Sequence, residues 1–294
     1  MNQSEIRKKL LQPLHPLLLL DAILLYALGL GIADYLGTLI DWNTAFLGLI
    51  WVFSLQIGAG YLFNYFRFQD DRFSARSLEQ NLVDQTPLWV GLTFLAVLAS
   101  LAIPLIAAGN LDVVAWVLMI ILLIGALVSA VPPLQLARSS SRELILSVFY
   151  AALIPALAFS LQADGLHRLV SMSTFPLIWL HFAIMLTLRF PDYASDQKEQ
   201  TSSLLVRIGW ERAMRCINVT ILAAYAFLAA SMVMGLPTNI AMPAFLTLPL
   251  SLLQIWYLTR IAAGAKPNWK LLRWLSISVF GLTTYLLTLT FWIR

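Results

Sequence analysis

Two carboxylates, Asp192 and Asp196, stand one helical turn apart in Phe190-Pro191-Asp192-Tyr193-Ala194-Ser195-Asp196, where a long apolar stretch ends. Acidic side chains at a membrane boundary cost several kcal/mol unless a cation, a partner or water satisfies them. An ion or a phosphorylated ligand is therefore the chemistry to look for. A second polar run, Asn64-Tyr65-Phe66-Arg67-Phe68-Gln69-Asp70-Asp71-Arg72, closes an earlier apolar stretch. If helix continues through both segments, Asn64, Arg67 and Asp71 share one face, and so do Arg189, Asp192 and Asp196. Facing one another, these surfaces could hold magnesium and a diphosphate. Magnesium prefers oxygen ligands and binds through one or two carboxylates together with phosphate oxygens. Arginine meets the remaining phosphate charge directly.

The elements that must position these residues are membrane helices. The chain is 60% hydrophobic and only 12% charged, with a mean hydropathy of +0.80, against roughly 45–50% apolar and about 25% charged in an ordinary globular domain. Runs of about 20 apolar residues cross a hydrocarbon core of about 30 Å as helices. Nine such spans are predicted: Pro16 to Gly37, Thr44 to Phe66, Leu88 to Ala108, Asp112 to Val131, Leu144 to Leu161, Phe175 to Phe190, Cys216 to Met234, Asn239 to Leu258 and Leu271 to Trp292. Gly109-Asn110, Pro132-Pro133, Gly235 with Pro237, and Gly264 with Pro267 punctuate them. Pro104, Pro155, Pro243 and Pro249 fall inside spans and are expected to kink them. The basic Arg7-Lys8-Lys9 precedes an apolar run that is long, holds Asp21 and lacks a small-residue cleavage pattern, so it reads as a retained helix. The single Cys216 allows no intramolecular disulfide and no cysteine metal site.

Basic residues in short loops stay on the cytoplasmic side. With the N-terminus inside, all but Arg168 and Arg294 of the 19 Lys and Arg lie in cytoplasmic segments. The C-terminus then lies on the opposite side, and a bacterial inner membrane is the expected location. The net charge of +4 records this topology and contact with anionic membrane lipids, and carries no argument for nucleic acid.

At this point the chain resembles the UbiA superfamily of intramembrane prenyltransferases. The segment from Phe190 to Asp196, followed by Leu204-Leu205-Val206-Arg207-Ile208-Gly209-Trp210, looks like the family's second aspartate motif and the threonine-leucine-x-valine-arginine-leucine-glycine stretch behind it. Ser129-Ala130-Val131-Pro132-Pro133-Leu134 is similar to its serine-alanine-proline-proline-leucine turn. The resemblance implies one all-α membrane domain over residues 1–294, nine helices around a central cavity, with cytoplasmic loops at about 67–87 and 191–212 capping the site. It implies transfer of a prenyl group from an isoprenoid diphosphate to an aromatic, quinone-precursor-like acceptor, a dihydroxynaphthoate-like compound being weakly favoured. Asp192, Asp196, Asn64 and Asp71 would hold Mg2+, while Arg67, Lys198, Arg138 and Asp70 would serve the diphosphate; either Asp70 or Asp71 faces the site. Tyr61, Phe63, Tyr65, Tyr150 and Trp179 are candidates for an aromatic lining that shields a carbocation.

The first motif departs from the family's asparagine-aspartate-x-x-aspartate-x-x-x-aspartate. Tyr65 follows Asn64, and Phe68 or, with a one-residue deletion, Arg67 takes the central acidic place. A glycine-lysine-arginine-threonine segment common in relatives is replaced by Gln200-Thr201-Ser202-Ser203. These losses motivate an alternative, a non-catalytic homologue that binds isoprenoid lipids or membrane partners. A transporter is the third reading, with no visible repeat to support it. Of the remaining polar residues, Asp21 points either to the central cavity or to the cytoplasmic interface, Asp34 reads as solvated near the outer boundary, and His181 as a hydrogen-bonded packing residue. His15 and His167 flank spans, and Trp and Tyr near span ends read as interfacial anchors.

Overall fold

The structure, a computed structural model, describes residues 16–72, 85–107, 111–131, 142–198 and 204–293. Among them every regular element is helical, as lipid demands of a chain that must satisfy its own backbone polar groups. Nine helices are long and apolar enough to cross a bilayer: Leu17–Tyr35, Trp42–Phe66, Thr86–Ala107, Val113–Ala130, Arg142–Ser160, Arg168–Asp192, Trp210–Val233, Thr238–Ala262 and Trp269–Ile293. The molecule is an integral membrane protein, and the described residues hold the nine expected spans, the sixth and seventh starting earlier than expected, at Arg168 and Trp210. Gly109, Asn110, Pro132 and Pro133 lie outside the described residues, as does His15.

The sixth span is the main correction. It begins at Arg168 and not at Phe175, because His167 caps the helix, its ring nitrogen accepting the Leu169 N–H at 3.3 Å. Ser173 and Thr174, which made this stretch look polar, are buried against protein instead of lipid. The earlier start also puts Pro176 inside the helix.

Most of the in-span prolines change the winding. Pro155 sits at the start of Ile154–Ser160, directly after a π-helical segment, Phe149–Leu153. Pro243 and Pro249 open a 3-10 segment, Met242–Thr247, and the α-helix Leu248–Ala262. Each proline lacks an N–H and crowds the carbonyl one turn back, and a local change of winding relieves both. Pro104 stays within an α-helix.

Small residues let the helices approach closely, which is how apolar helices associate in lipid. A Cβ on Gly29 would overlap the Pro155 carbonyl, and Gly91 lies within contact of Gly58, so the first span seats on the fifth and the second on the third. Hydroxyls and amides tie the later spans: Tyr225 Oη and Thr283 Oγ1 each lie 2.7 Å from Thr247 Oγ1, and Gln254 Nε2 donates to Ser276 Oγ at 2.7 Å.

Contacts also define the two ends of the bundle. At one end Asp41 N–H donates to Gln162 Oε1 at 2.8 Å, Gly165 N–H to Asp112 Oδ2 at 2.9 Å, and Trp42 stacks on Trp292 at 6.0 Å. Asp41 also caps the second span, and the Thr44 hydroxyl and backbone N–H groups hold its carboxyl below the usual carboxylate range. Asp34, near this end, is exposed as expected. The candidate residues belong to the other end.

Candidate functional site

The helix of the second span runs on past the apolar stretch to Arg72. Its register therefore places positions 64, 67 and 71 on one face over about two turns, roughly 10 Å of axis. Asn64 is half-buried. Arg67, Asp70 and Asp71 are described in backbone only, so the choice between the two aspartates lies outside the described side chains.

The second segment does not continue as one helix. The α-helix ends at Arg189, a 3-10 turn spans Phe190–Asp192, and a short helix follows over Tyr193–Lys198. Pro191 is the physical reason, since it cannot donate to the preceding turn. A turn wound at three residues carries Asp192 further round the axis than an α-helix would, which shifts it relative to Arg189 and Asp196 from the common face expected of one α-helix. Asp192 is exposed in that 3-10 turn. Asp196 and Lys198 are described in backbone only, and Arg138 lies outside the described residues.

An aromatic cluster holds this turn. Phe190 is 1% exposed, meets Trp210 edge-on at 5.2 Å and stacks on Trp269 at 6.0 Å, while Tyr193 lies 5.7 Å from Trp210. Trp210 and Trp269 start the seventh and ninth spans, so they clamp the site as well as marking a span end.

The link between the two segments is the feature that motif reading missed. Arg142, at the start of the fifth span, lies over the Phe63 ring at 4.5 Å, and its neighbour Glu143 meets Arg189 Nε at 3.7 Å. Phe63 precedes Asn64, and Arg189 is three residues before Asp192. The start of the fifth span thus bridges the two candidate segments and sets both at the same end of the bundle. Glu143 is 3% exposed, and its Oε2 has no hydrogen-bond partner among the described residues. An acid at the head of an apolar run was the available signal.

The proposed aromatic lining divides. Tyr61 is buried and stacks on Phe94 of the third span at 6.5 Å. Tyr65 packs edge-on to Phe66 at 5.1 Å, and Trp179 stacks on Phe227 of the seventh span at 5.7 Å. Tyr150 lies deeper and stacks on His181 at 5.5 Å. His181 is fully buried and hydrogen-bonded as expected, its Nδ1 3.1 Å from Ser147 Oγ, but its Nε2 has no partner among the described residues.

Among the described residues no three His, Cys, Asp or Glu side chains gather to hold a metal. Asp192 and Asn64 offer hard oxygen donors in the small number that magnesium uses when phosphate oxygens complete its octahedron, so the donor chemistry fits that ion.

No protein-family model and no curated protein matches the chain. Among solved structures it is similar to a UbiA homologue from Archaeoglobus fulgidus. Against that protein bound to GPP and Mg2+ the identity is 19% and the TM-score 0.63, covering 97% of this chain and 98% of the other. Against the form bound to DMAPP and Mg2+ the values are 18% and 0.60, over 95% and 99%. A third structure of the homologue gives 17% and 0.62, over 96% and 98%. The likeness runs the length of both chains and establishes a shared fold.

Proposed function

We propose that the chain is a UbiA-type intramembrane prenyltransferase that moves a prenyl group from an isoprenoid diphosphate to an aromatic, quinone-precursor-like acceptor. The observation that carries this reading is the Phe63, Arg142, Glu143 and Arg189 bridge, which holds the ends bearing Asn64 and Asp192 together in a fold shared with a protein solved with GPP, DMAPP and Mg2+. In this reading Asp192, Asp196, Asn64 and Asp71 hold magnesium against the diphosphate. Bound there, the ion would supply Lewis-acid stabilisation of the negative charge that builds on the departing group. Arg67, Lys198 and Arg138 neutralise the same charge by direct contact, and the distribution of basic residues in the sequence supports a cytoplasmic face for this end.

Breaking the allylic C–O bond leaves a cation and sends the electron pair out with diphosphate. Catalysis is then mainly electrostatic, from charges fixed before the reaction begins. The apolar interior keeps water from the cation.

The test is transfer itself. Protein in detergent or lipid, given labelled geranyl diphosphate, pooled aromatic acceptors and magnesium, should form a prenylated product that Asp192→Ala abolishes. The altered first motif favours one competing reading, a non-catalytic binder. Diphosphate binding with no turnover across a broad acceptor panel would establish that reading instead.

A further inference from the structure

The ends of the seventh, eighth and ninth spans meet beside the candidate site and carry charge that its chemistry does not use. Side chains join them: Trp210 meets Trp269 edge-on at 5.4 Å, Asn218 Nδ2 donates to Thr259 Oγ1 at 3.3 Å, and the Asn268 N–H donates to Tyr257 Oη at 2.7 Å. From Trp210 to Arg273 the chain holds the cations Arg212, Arg215, Arg260, Lys266, Lys270 and Arg273 against a single acid, Glu211. All of them are exposed, and none forms an ion pair among the described residues.

Topology alone does not require this pattern. The rule that keeps Lys and Arg on one side of a membrane is nearly indifferent to Asp and Glu, so acids interleaved here would have neutralised the surface without disturbing orientation. Helix polarity makes the excess costlier. Arg212 and Lys270 lie in the first turns of helices that begin at this end, where the positive end of the macrodipole disfavours a cation. An anion supplied from outside the chain would offset both costs.

Two indole rings indicate which anion. Trp256 is 53% exposed and Trp274 66%, on spans that lie in the bilayer. Trp256 sits four residues, about 6 Å, further into its helix than Arg260, and Trp274 the same distance further in than Lys270. Indoles near a span end settle where headgroups give way to acyl chains. The Arg260 guanidinium lies over the Trp256 ring, 5.0 Å from its centroid, which holds the charge at that level instead of out in water. Cations outside and indoles one turn further in match a phospholipid, with its phosphate above its glycerol and first methylenes. A free phosphate has no use for the indoles.

We propose that the ends of the seventh, eighth and ninth spans form a docking surface for anionic phospholipid, with Arg260, Lys270 and Arg273 meeting the phosphate charge and Trp256 and Trp274 seated against the glycerol and upper acyl chains. Each cation near a charged bilayer surface contributes about fivefold in affinity. The surface adjoins the Phe190–Asp192 turn through Trp210 and Trp269. It shares no residue with the magnesium and diphosphate set, and holds whether or not the chain transfers prenyl groups.

The test is native mass spectrometry of the full chain released from nanodiscs that hold equal amounts of phosphatidylglycerol and phosphatidylcholine with the same acyl chains. Wild type should retain phosphatidylglycerol over phosphatidylcholine by about fivefold or more. Arg260→Gln, Lys270→Gln and Arg273→Gln should each lower that preference about two- to fivefold, and the triple variant should lose it. Glu211→Gln, which removes the acid, should raise it. Arg260→Lys and Arg273→Lys, which keep the charge, should retain most of it, and Arg168→Gln, an exposed cation at the opposite end, should leave it unchanged. Equal retention of the two lipids, a triple variant that behaves as wild type, or an Arg168→Gln loss as large as that of Arg260→Gln would overturn the proposal. Two further results would overturn it by naming another occupant. Inorganic phosphate that displaces phosphatidylglycerol beyond a chloride control of equal ionic strength would assign the cations to a free anion. Poly-glutamate that binds wild-type nanodiscs containing phosphatidylglycerol, and not those of the triple variant, would assign them to an acidic protein.

Discussion

Asp192 stands out as a candidate from sequence alone because an acid at the end of an apolar run has few cheap explanations, and the resemblance around it is dense. What the motif could not convey was its company. Arg142 read as one more topology-setting cation, yet it covers Phe63, and Glu143 beside it reaches Arg189. Such links join residues distant in the chain and have no local signature. His181 was visible as a polar residue in apolar surroundings, but whether a buried group is paired is a tertiary property, so an Nε2 with no partner among the described residues emerges only in the folded bundle. The altered first motif leads to a prediction of its own. If Arg67 takes the place where the resemblance expects an acid, a direct phosphate contact would replace a metal-bound one. Arg67→Ala should then raise KM for the prenyl diphosphate about tenfold to a hundredfold, the range for a lost charged hydrogen bond, with its magnesium dependence steepened. Unchanged kinetics in a magnesium titration would remove the idea.

Among the elements, hydropathy located all nine spans because twenty apolar residues in succession have one cheap solution in lipid. Its errors fell where protein replaces lipid as the neighbour. The sixth span starts a full two turns early because Ser173 and Thr174 face other helices, where hydroxyls are tolerated. The 3-10 turn at Phe190–Asp192 was announced by Pro191, but the clamp of Trp210 and Trp269 around it was not. Close helix seating makes its own prediction. Gly29→Ala should destabilise the protein by about 1–3 kcal/mol, since its Cβ meets the Pro155 carbonyl, a backbone atom that cannot swing away. Gly281→Ala, where nothing lies within 4 Å, should be neutral or stabilising by about 0.5–1 kcal/mol, the ordinary gain in a helix. Thermal melts of the two variants in the same detergent decide it, and equal melting temperatures would contradict the packing described here.

At the scale of the whole molecule, alternation of nine spans places the ends of the second and sixth on the same side, and contacts at both ends of the bundle agree with that order. The fold is also shared with the Archaeoglobus homologue over nearly the full length of each chain at 17–19% identity, a level at which shape persists although few residues do. Function must therefore be argued from the site and not from the fold. The central claim is that the two helix ends grip one ligand. Calorimetric binding of geranyl diphosphate with magnesium to wild type, Asn64→Ala, Asp192→Ala and the double variant tests it most directly. Each single change should weaken binding about tenfold or more, and the double variant should lose less than the two losses combined, the signature of residues sharing one ligand. Wild-type affinity in Asn64→Ala, or losses that simply add, would contradict the account.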